Sequence, residues 1–333
     1  MRIAIANDMP LAIEALRRAL EVEPEYELIW VARDGDEAVR RCQEDLPDLL
    51  LMDMLMPGMD GVEATRRIMH QTPCAILVVT GDVERNMAKV FDAMGAGALD
   101  VVAAPSLGPQ QVLDAATVRR KIHNLSWIIG HKDQRTAKRA MPTSNTRHKR
   151  LVTIGASAGG PASLVELLRH IPLNFPAAII VVQHVDEVFA AGMAQWLGTE
   201  SQLPVRLAQA DEVVSPGTVL LAGTNNHLYL TAEGRLAYRA EPAAQVYRPS
   251  IDVFFESVAQ HWRGEAIGVL LTGMGRDGAK GLKQMRERGF HTIAQDQASS
   301  AVYGMPKAAA AQGAAVEVLP LDKIAPRLIE RLS

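Results

Sequence analysis

A serine among glycines, Gly155-Ala156-Ser157-Ala158-Gly159, follows an apolar run and precedes a segment that opens on Pro161. The G-x-S-x-G pattern acquires meaning when a strand leads into the serine and a helix leads out. The sharp turn then exposes the hydroxyl and brings backbone N–H groups close to a substrate oxygen. Taken alone, such a serine is at least as often part of a phosphate-binding loop or a plain turn. A serine hydroxyl also needs a base to take its proton and an acceptor to hold that base in one tautomer. His184 lies just past the apolar run 177–182, and Asp277 lies in Thr272-Gly273-Met274-Gly275-Arg276-Asp277-Gly278, just past the run 266–271. Three strand ends can therefore deliver nucleophile, base and orienting carboxylate to one crevice. The chain order Ser, His, Asp departs from the usual Ser, Asp or Glu, His order and disfavours an ordinary lipase or carboxylesterase. His170, His227, His261 and His291 have no equivalent strand-end loop and are read as structural. Residues 155–160 also miss the G-x-G-x-x-G spacing of a dinucleotide fold.

A second set of polar groups stands at strand ends in the first third of the chain. Asn7 and Asp8 follow the first apolar run, Asp53 the third and Thr80 the fourth. Asp8 and Asp53 suit a hard divalent cation, because Mg²⁺ favours one or two carboxylates with waters and phosphate oxygens. A cation there would neutralise a phosphoryl group arriving at Asp53, whose carboxylate can act as the acceptor, and Thr80 can donate to a phosphoryl oxygen.

Two successive domains are needed to position these groups. Apolar runs at 2–6, 28–31, 48–52, 75–79 and 99–102 alternate with amphipathic segments, the pattern of a parallel sheet wrapped by helices. A closing helix is predicted over 110–129. Residues 131–150 then turn polar and basic, which suits an exposed linker. The alternation restarts with strands predicted at 151–154, 177–182, 266–271, 292–294 and 315–319. A helix is expected over 161–170, and a hairpin pairing 218–222 with 228–231 across Gly223-Thr224-Asn225-Asn226. The fold class is α/β with two doubly wound parallel-sheet domains, the first flavodoxin-like and the second Rossmann-like. The boundaries are 1–125, a linker over 126–149, and 150–333.

Composition limits the alternatives. A length of 333 residues exceeds one ordinary core, and 48% hydrophobic with 22% charged residues is a globular balance. Cys42 and Cys74 are far apart in sequence and lack metal-ligand spacing. They are read as core thiols, which fits a reducing cytoplasm. The N-terminus lacks the apolar segment of a secretory signal, and no run approaches the ~18 to 20 apolar residues of a membrane span. A formal charge of -3 gives no general attraction to nucleic acid.

The run Asp53-Met54-Leu55-Met56-Pro57-Gly58-Met59-Asp60-Gly61, with Asp8 and Thr80, resembles the response-regulator receiver domain over residues 1–125. The resemblance implies that Asp53 is phosphorylated and that Asp8, Asp53 and the Leu55 carbonyl bind Mg²⁺. Asn7 would assist through water, and Thr80 would support the phosphosite. Two positions depart from the pattern. Asn7 stands where an acidic residue is usual, and Ala104 replaces the lysine before Pro105, removing one ammonium group that would pair with phosphoryl oxygens.

The second half is similar to the catalytic domain of the chemotaxis methylesterase family CheB. The resemblance rests on Gly155 through Gly160, Gln183-His184-Val185, Arg248-Pro249-Ser250-Ile251-Asp252, Leu271 through Gly278, Ala294-Gln295-Asp296 and Tyr303-Gly304-Met305-Pro306. It implies Ser157 as nucleophile, His184 as general base and then acid, and Asp277 as the orienting residue. Backbone groups of Ala158 and Met274 would form the oxyanion hole, with no cofactor at this site. Ala158 occupies a position where many relatives carry threonine. The implied substrate is a glutamate methyl ester on a methyl-accepting chemoreceptor, with glutamine deamidation by the same route. A chemotaxis-type histidine kinase would be the phosphodonor. The setting is cytoplasmic, peripheral to membrane receptor clusters only, with no nucleic acid as partner. Asn7 and Ala104 make the chain resemble most the WspF-type members of the Wsp surface-sensing pathway.

The residues bear on three other readings. A phosphorylation-sensitive adaptor with little esterase activity is opposed by the intact serine, histidine and aspartate. A transcriptional regulator is opposed by the size of residues 151–333 and the lack of a basic recognition helix. A small-molecule esterase carrying a receiver stays open, because pocket width is not visible in motifs.

Overall fold

The structure, a computed structural model, describes residues 1–81, 83–105, 111–129, 150–242 and 245–332. The chain divides into two compact units, Met1–Asp133 and Gln134–Ser333. Of the segment read as a linker, residues 130–149 lie outside the described residues.

The first unit alternates β1 (Arg2–Ala6), α1 (Pro10–Glu21), β2 (Glu27–Ala32), α2 (Gly35–Glu44), β3 (Leu49–Met52), α3 (Gly61–Gln71), β4 (Ala75–Thr80), α4 (Val83–Gly95), β5 (Asp100–Ala103) and α5 (Gln111–Ile129). Its five parallel strands run in the order β2-β1-β3-β4-β5. The inner strands are apolar throughout because helices cover both faces of a parallel sheet; Ile3, Ile5, Leu49, Leu51 and Leu77 have no exposed surface. Asp34 and Asp60 cap α2 and α3 by accepting from the Glu37 and Glu63 N–H groups. The two cysteines meet through a thiol–thiol hydrogen bond, which lowers the pKa of Cys42. The same bond, with burial, raises that of Cys74. Cys42 is a core thiol, whereas Cys74 is only half-buried.

The second unit contains β6 (Arg150–Ala156), α6 (Gly160–Arg169), β7 (Ala178–Gln183), α7 (Glu187–Glu200), β8 (Val205–Leu207), β9 (Val219–Leu221), β10 (His227–Leu230), β11 (Leu236–Arg239), α8 (Ile251–His261), β12 (Glu265–Leu270), α9 (Ala279–Glu287), β13 (His291–Gln295), α10 (Met305–Ala311), β14 (Glu317–Leu319) and α11 (Leu321–Leu332). Seven parallel strands run in the order β14-β13-β12-β6-β7-β9-β8. The chain leaves β6 for β7 on one side and later returns to β12 on the other. The carboxyl ends of β12, β6 and β7 therefore border the reversal point of the sheet, where such folds open a crevice. Beneath it α8 buries Phe254, Phe255 and Val258 completely, each contributing about 1.5 to 3 kcal/mol by leaving water.

The expected hairpin is corrected. The run at 218–222 becomes β9, which pairs in parallel with β7 and β8, and β10 pairs instead with β11, antiparallel. The physical reason is burial. Val219 and Leu221 are fully enclosed, as a strand covered on both faces must be, whereas the turn that closes β10 on β11 is at Gly234, with φ of 75°. No helix among the described residues is long and apolar enough to cross a membrane.

Candidate active site and phosphorylation site

Ser157 directly follows β6, the middle strand of the crevice. His184 follows β7 directly, and Asp277 lies in the loop after β12, so the serine's two partners arrive from its two neighbouring strands. His184 Nδ1 lies 3.1 Å from Ser157 Oγ, and its Nε2 lies 2.8 Å from Asp277 Oδ2. In this order of atoms Nε2–H donates to the carboxylate, leaving Nδ1 as the acceptor that faces the hydroxyl.

The first reason Asp277 can hold this position is the helix beyond it. Its Oδ2 accepts from Ile251 N–H at 2.7 Å, and its Oδ1 accepts from the Ser250 hydroxyl at 2.8 Å and from Asp252 N–H at 3.1 Å. The carboxylate thus sits on the N-terminus of α8, where unpaired N–H groups favour negative charge. Burial works to raise the Asp277 pKa. The bond and charge of His184, with Ile251 N–H and the Ser250 hydroxyl, outweigh it and hold the group below the usual carboxylate range. The neighbouring Asp252 moves the other way. Burial and the Asp277 charge push its pKa up to about 7, against the hydrogen bond from Gly281 N–H. The negative charge is therefore concentrated on the carboxylate that meets His184.

Side chains beside the three reacting residues hold the turn. Gln183 Nε2 donates to the Ser157 carbonyl at 2.9 Å and to the His184 carbonyl at 3.3 Å, tying nucleophile and base to one buried amide. Gly160 makes room for it, since a Cβ there would stand 2.1 Å from Gln183 Oε1. Thr272 fixes the facing loop. Its carbonyl accepts from Ser157 N–H at 3.0 Å, its hydroxyl donates to the Ala158 carbonyl at 3.0 Å, and its N–H donates to Gln295 Oε1 at 2.7 Å. Among the described residues, no protein group accepts from the N–H of Ala158 or of Met274.

His227, read as structural, belongs to the layer behind the triad. It is fully buried, accepts from Ser250 N–H at Nδ1 over 3.0 Å, and faces the Pro242 carbonyl with Nε2. Burial lowers its pKa, so it stays neutral and keeps that acceptor. His170, by contrast, is exposed at the C-terminal cap of α6, and His291 lies 3.0 Å from Glu317 at the far edge of the sheet. Gln183, His227, Ser250 and Thr272 are the site residues that sequence reasoning missed as actors. Gln183 and Ser250 lay inside noted motifs, and their roles depend on partners 26 and 27 residues away.

In the first unit, Asn7, Asp8, Asp53 and Thr80 stand at the carboxyl ends of β1, β3 and β4. Asp53 is 7% exposed. Burial and the nearby Asp8 raise its pKa to about 6, against hydrogen bonds from Met54 and Leu55 N–H. Asn7 Oδ1 accepts from Met9 N–H at 2.8 Å, and Thr80 Oγ1 accepts from Asn86 Nδ2 at 3.0 Å. Ala104 donates its N–H to the Thr80 carbonyl and brings no charge. The lysines of α4 and α5 are engaged elsewhere, Lys89 with Asp60 and Lys121 with Asp100. Among the described residues, no group of three or more His, Cys, Asp or Glu side chains could hold a metal ion. The pair Asp8 and Asp53 with a backbone carbonyl nonetheless fits Mg²⁺, which takes few protein ligands and retains water. Burial is the larger cause of the raised Asp53 pKa, and a divalent cation would relieve the smaller one, the repulsion between Asp53 and Asp8.

The family model for CheB methylesterase matches residues 152–328, and that for the response regulator receiver domain matches residues 3–117. The chain belongs to the CheB methylesterase family. Among its relatives, the protein-glutamate methylesterase/protein-glutamine glutaminase 3 of Pseudomonas aeruginosa is 64% identical over 334 residues, covering 99% of each chain. That of Pseudomonas savastanoi pv. phaseolicola is 65% identical over 332 residues, again covering 99% of each. The crystal structure of the Thermotoga maritima CheB methylesterase catalytic domain is 38% identical with a TM-score of 0.53. The match covers 55% of this chain and 98% of that one. In this CheB-family chain the crescent of Ser157, His184 and Asp277 thus lies within the family's catalytic module, and Asp53 lies within its receiver.

Proposed function

We propose that this chain is a phosphorylation-regulated protein-glutamate methylesterase that demethylates glutamate methyl esters on methyl-accepting chemoreceptors and deamidates glutamine at such sites. The hydrogen-bonded series Ser157–His184–Asp277 carries the reading. Ser157 Oγ attacks the γ-carbonyl carbon while His184 Nδ1 takes the hydroxyl proton, and Asp277 stabilises the resulting imidazolium through Nε2–H. The N–H groups of Ala158 and Met274 receive the developing oxyanion. Collapse of the tetrahedral species breaks the ester C–O bond, and methanol leaves with the proton from His184. Water, deprotonated at the same nitrogen, then cleaves the acyl-serine and restores both groups. With glutamine the C–N bond breaks and ammonia leaves instead.

By sequence the catalytic domain spans 150–333, the receiver 1–125 and the linker 126–149, of which 126–129 continue helix α5. Asp53 accepts the phosphoryl group from a chemotaxis-type histidine kinase, with Asn7 and Thr80 in support. Asp8, Asp53 and the Leu55 carbonyl would hold Mg²⁺, which supplies charge neutralisation when bound. The esterase site works without a cofactor, and the protein acts in the cytoplasm beside membrane receptor clusters. Asn7 and Ala104 support a place in a Wsp-type surface-sensing pathway. The test is methanol release from methylated receptor membranes, with and without a small-molecule phosphodonor and Mg²⁺. Release that rises with phosphodonor in the parent and not in Asp53→Ala is expected. No release above membranes alone would overturn the esterase reading, and equal phosphodonor responses in parent and variant would remove Asp53 as the switch.

A further inference from the structure

The imidazole of His184 is hydrogen-bonded at two ring nitrogens, and neither bond resists tilting of the ring about the line that joins them. A second ring does. Tyr247, in the loop before α8, stacks on His184 with centroids 4.3 Å apart and planes inclined by 4°. Tilting the imidazole would drive it into the phenol ring or break the stack. The Tyr247 ring is itself placed by the loop that carries Met274. An added Cβ on Gly275 would lie 2.9 Å from the Tyr247 hydroxyl and 3.7 Å from the ring, and the backbone there is left-handed, with φ of 78°. Glycine at 275 thus admits the ring, and the ring bridges the base and the loop opposite the nucleophile. Burial and the Asp277 charge both raise the pKa of the phenol, which keeps it un-ionised beside His184.

We propose that Tyr247 is a positioning residue for His184: its ring face holds the imidazole in the plane that joins Ser157 Oγ to Asp277 Oδ2. The same face, carrying the negative side of the ring quadrupole, also favours the imidazolium formed during attack. The inference rests on the esterase reading for its kinetic consequence and on the stack alone for its structural one.

The ring, and not the hydroxyl, should therefore matter. In the full-length protein, Tyr247→Phe is expected to keep kcat within about threefold. Tyr247→Leu is expected to lower kcat roughly 10- to 100-fold, the scale of a small misplacement of a catalytic group, with KM within about twofold. Tyr247→Met, similar in length and without a ring, replaces the leucine variant if that one melts at a lower temperature. A spectroscopic arm accompanies the kinetics. In carbon-labelled histidine NMR, the His184 ring protons, identified by their loss in His184→Ala, should be shielded in the parent and in Tyr247→Phe and unshielded in Tyr247→Leu.

Parental kcat in both ring-less variants would overturn the proposal. So would an effect confined to KM, which would mark Tyr247 as a substrate contact. A phenylalanine variant as impaired as the leucine one would assign the effect to the hydroxyl and overturn it as well. A parent that releases no methanol would defeat the esterase reading separately, and an unshielded His184 in that parent would defeat the stack.

Discussion

Replacing Asp277 by asparagine probes the site most sharply, because the surrounding donors decide how the amide must lie. Four hydrogen bonds point at the carboxylate, from His184 Nε2 and Ile251 N–H to Oδ2, and from the Ser250 hydroxyl and Asp252 N–H to Oδ1. An amide has one acceptor oxygen. With its NH₂ toward His184, the amide would strand Ile251 N–H, the 2.7 Å partner, and force the proton onto Nδ1, facing Ser157. With its NH₂ toward Ser250, the hydroxyl can reverse and accept, and only the longer 3.1 Å bond from Asp252 N–H is lost. The second arrangement costs less and keeps the productive tautomer, so the damage is chiefly the missing charge. For charge centres about 4 Å apart and an effective dielectric of about 20, that charge is worth about 4 kcal/mol, roughly 10³ in rate. The stranded donor adds about 1 to 3 kcal/mol of destabilisation. The assay is kcat for methanol release, with a thermal melt on the same sample. A rate within tenfold of the parent would refute the reasoning and move the orienting role elsewhere. Asp252 is the nearer candidate, since its own N–H already meets Asp277. A loss of roughly 10⁴ or more would mean that the amide had inverted and fixed the wrong tautomer.

Gly160→Ala should place a Cβ 2.1 Å from Gln183 Oε1 and break the amide bridge between Ser157 and His184. Methanol release at least tenfold lower, with a reduced melting temperature, is expected, and parental values of both would contradict the role given to Gln183. Burial and Arg331 push the His291 pKa down to about 4, against the pull of Glu317. Its ordinary value is about 6.5, so its stabilising effect is full above that pH and is lost as pH falls toward about 4. Denaturant melts between these limits should show His291→Gln losing less stability than the parent, and equal slopes would contradict this. Deleting residues 1–145 is expected to raise methanol release by more than phosphodonor raises it in the full chain, because Ala104 removes a contact that would distinguish the phosphorylated receiver. Equal rates for the full-length and shortened proteins would rule out inhibition by the receiver.

The strands that carry the two sites were legible because a parallel sheet covered on both faces demands near-continuous apolar runs. Ser157, His184 and Asp277 each stand just beyond such a run, so their meeting at the reversal point followed from topology. The strands β8 and β11 leave no clear mark in the sequence. Each is short, and only part of each is covered, so neither stands out from the loops around it. The hairpin was mispaired because β9 and β10 are adjacent in sequence, whereas burial of β9 on both faces placed it in the main sheet. Gln183, Ser250 and Thr272 were legible as parts of motifs but not as holders of the site. Their hydrogen bonds join residues from separate strands and loops, which no local pattern records. His227, read as structural, accepts from Ser250 across the domain, a contact of the same non-local kind.

The central claim is that Ser157 is the nucleophile of a methylesterase. Its most direct test compares methanol release from methylated chemoreceptor membranes by the full-length protein and by Ser157→Ala, both shown to be folded by circular dichroism and thermal melting. The hydroxyl is only partly buried and its carbonyl and N–H keep their partners in Gln183 and Thr272, so the variant should fold as the parent does and release no methanol above membranes alone. Release at the parental rate by the folded variant would contradict the account.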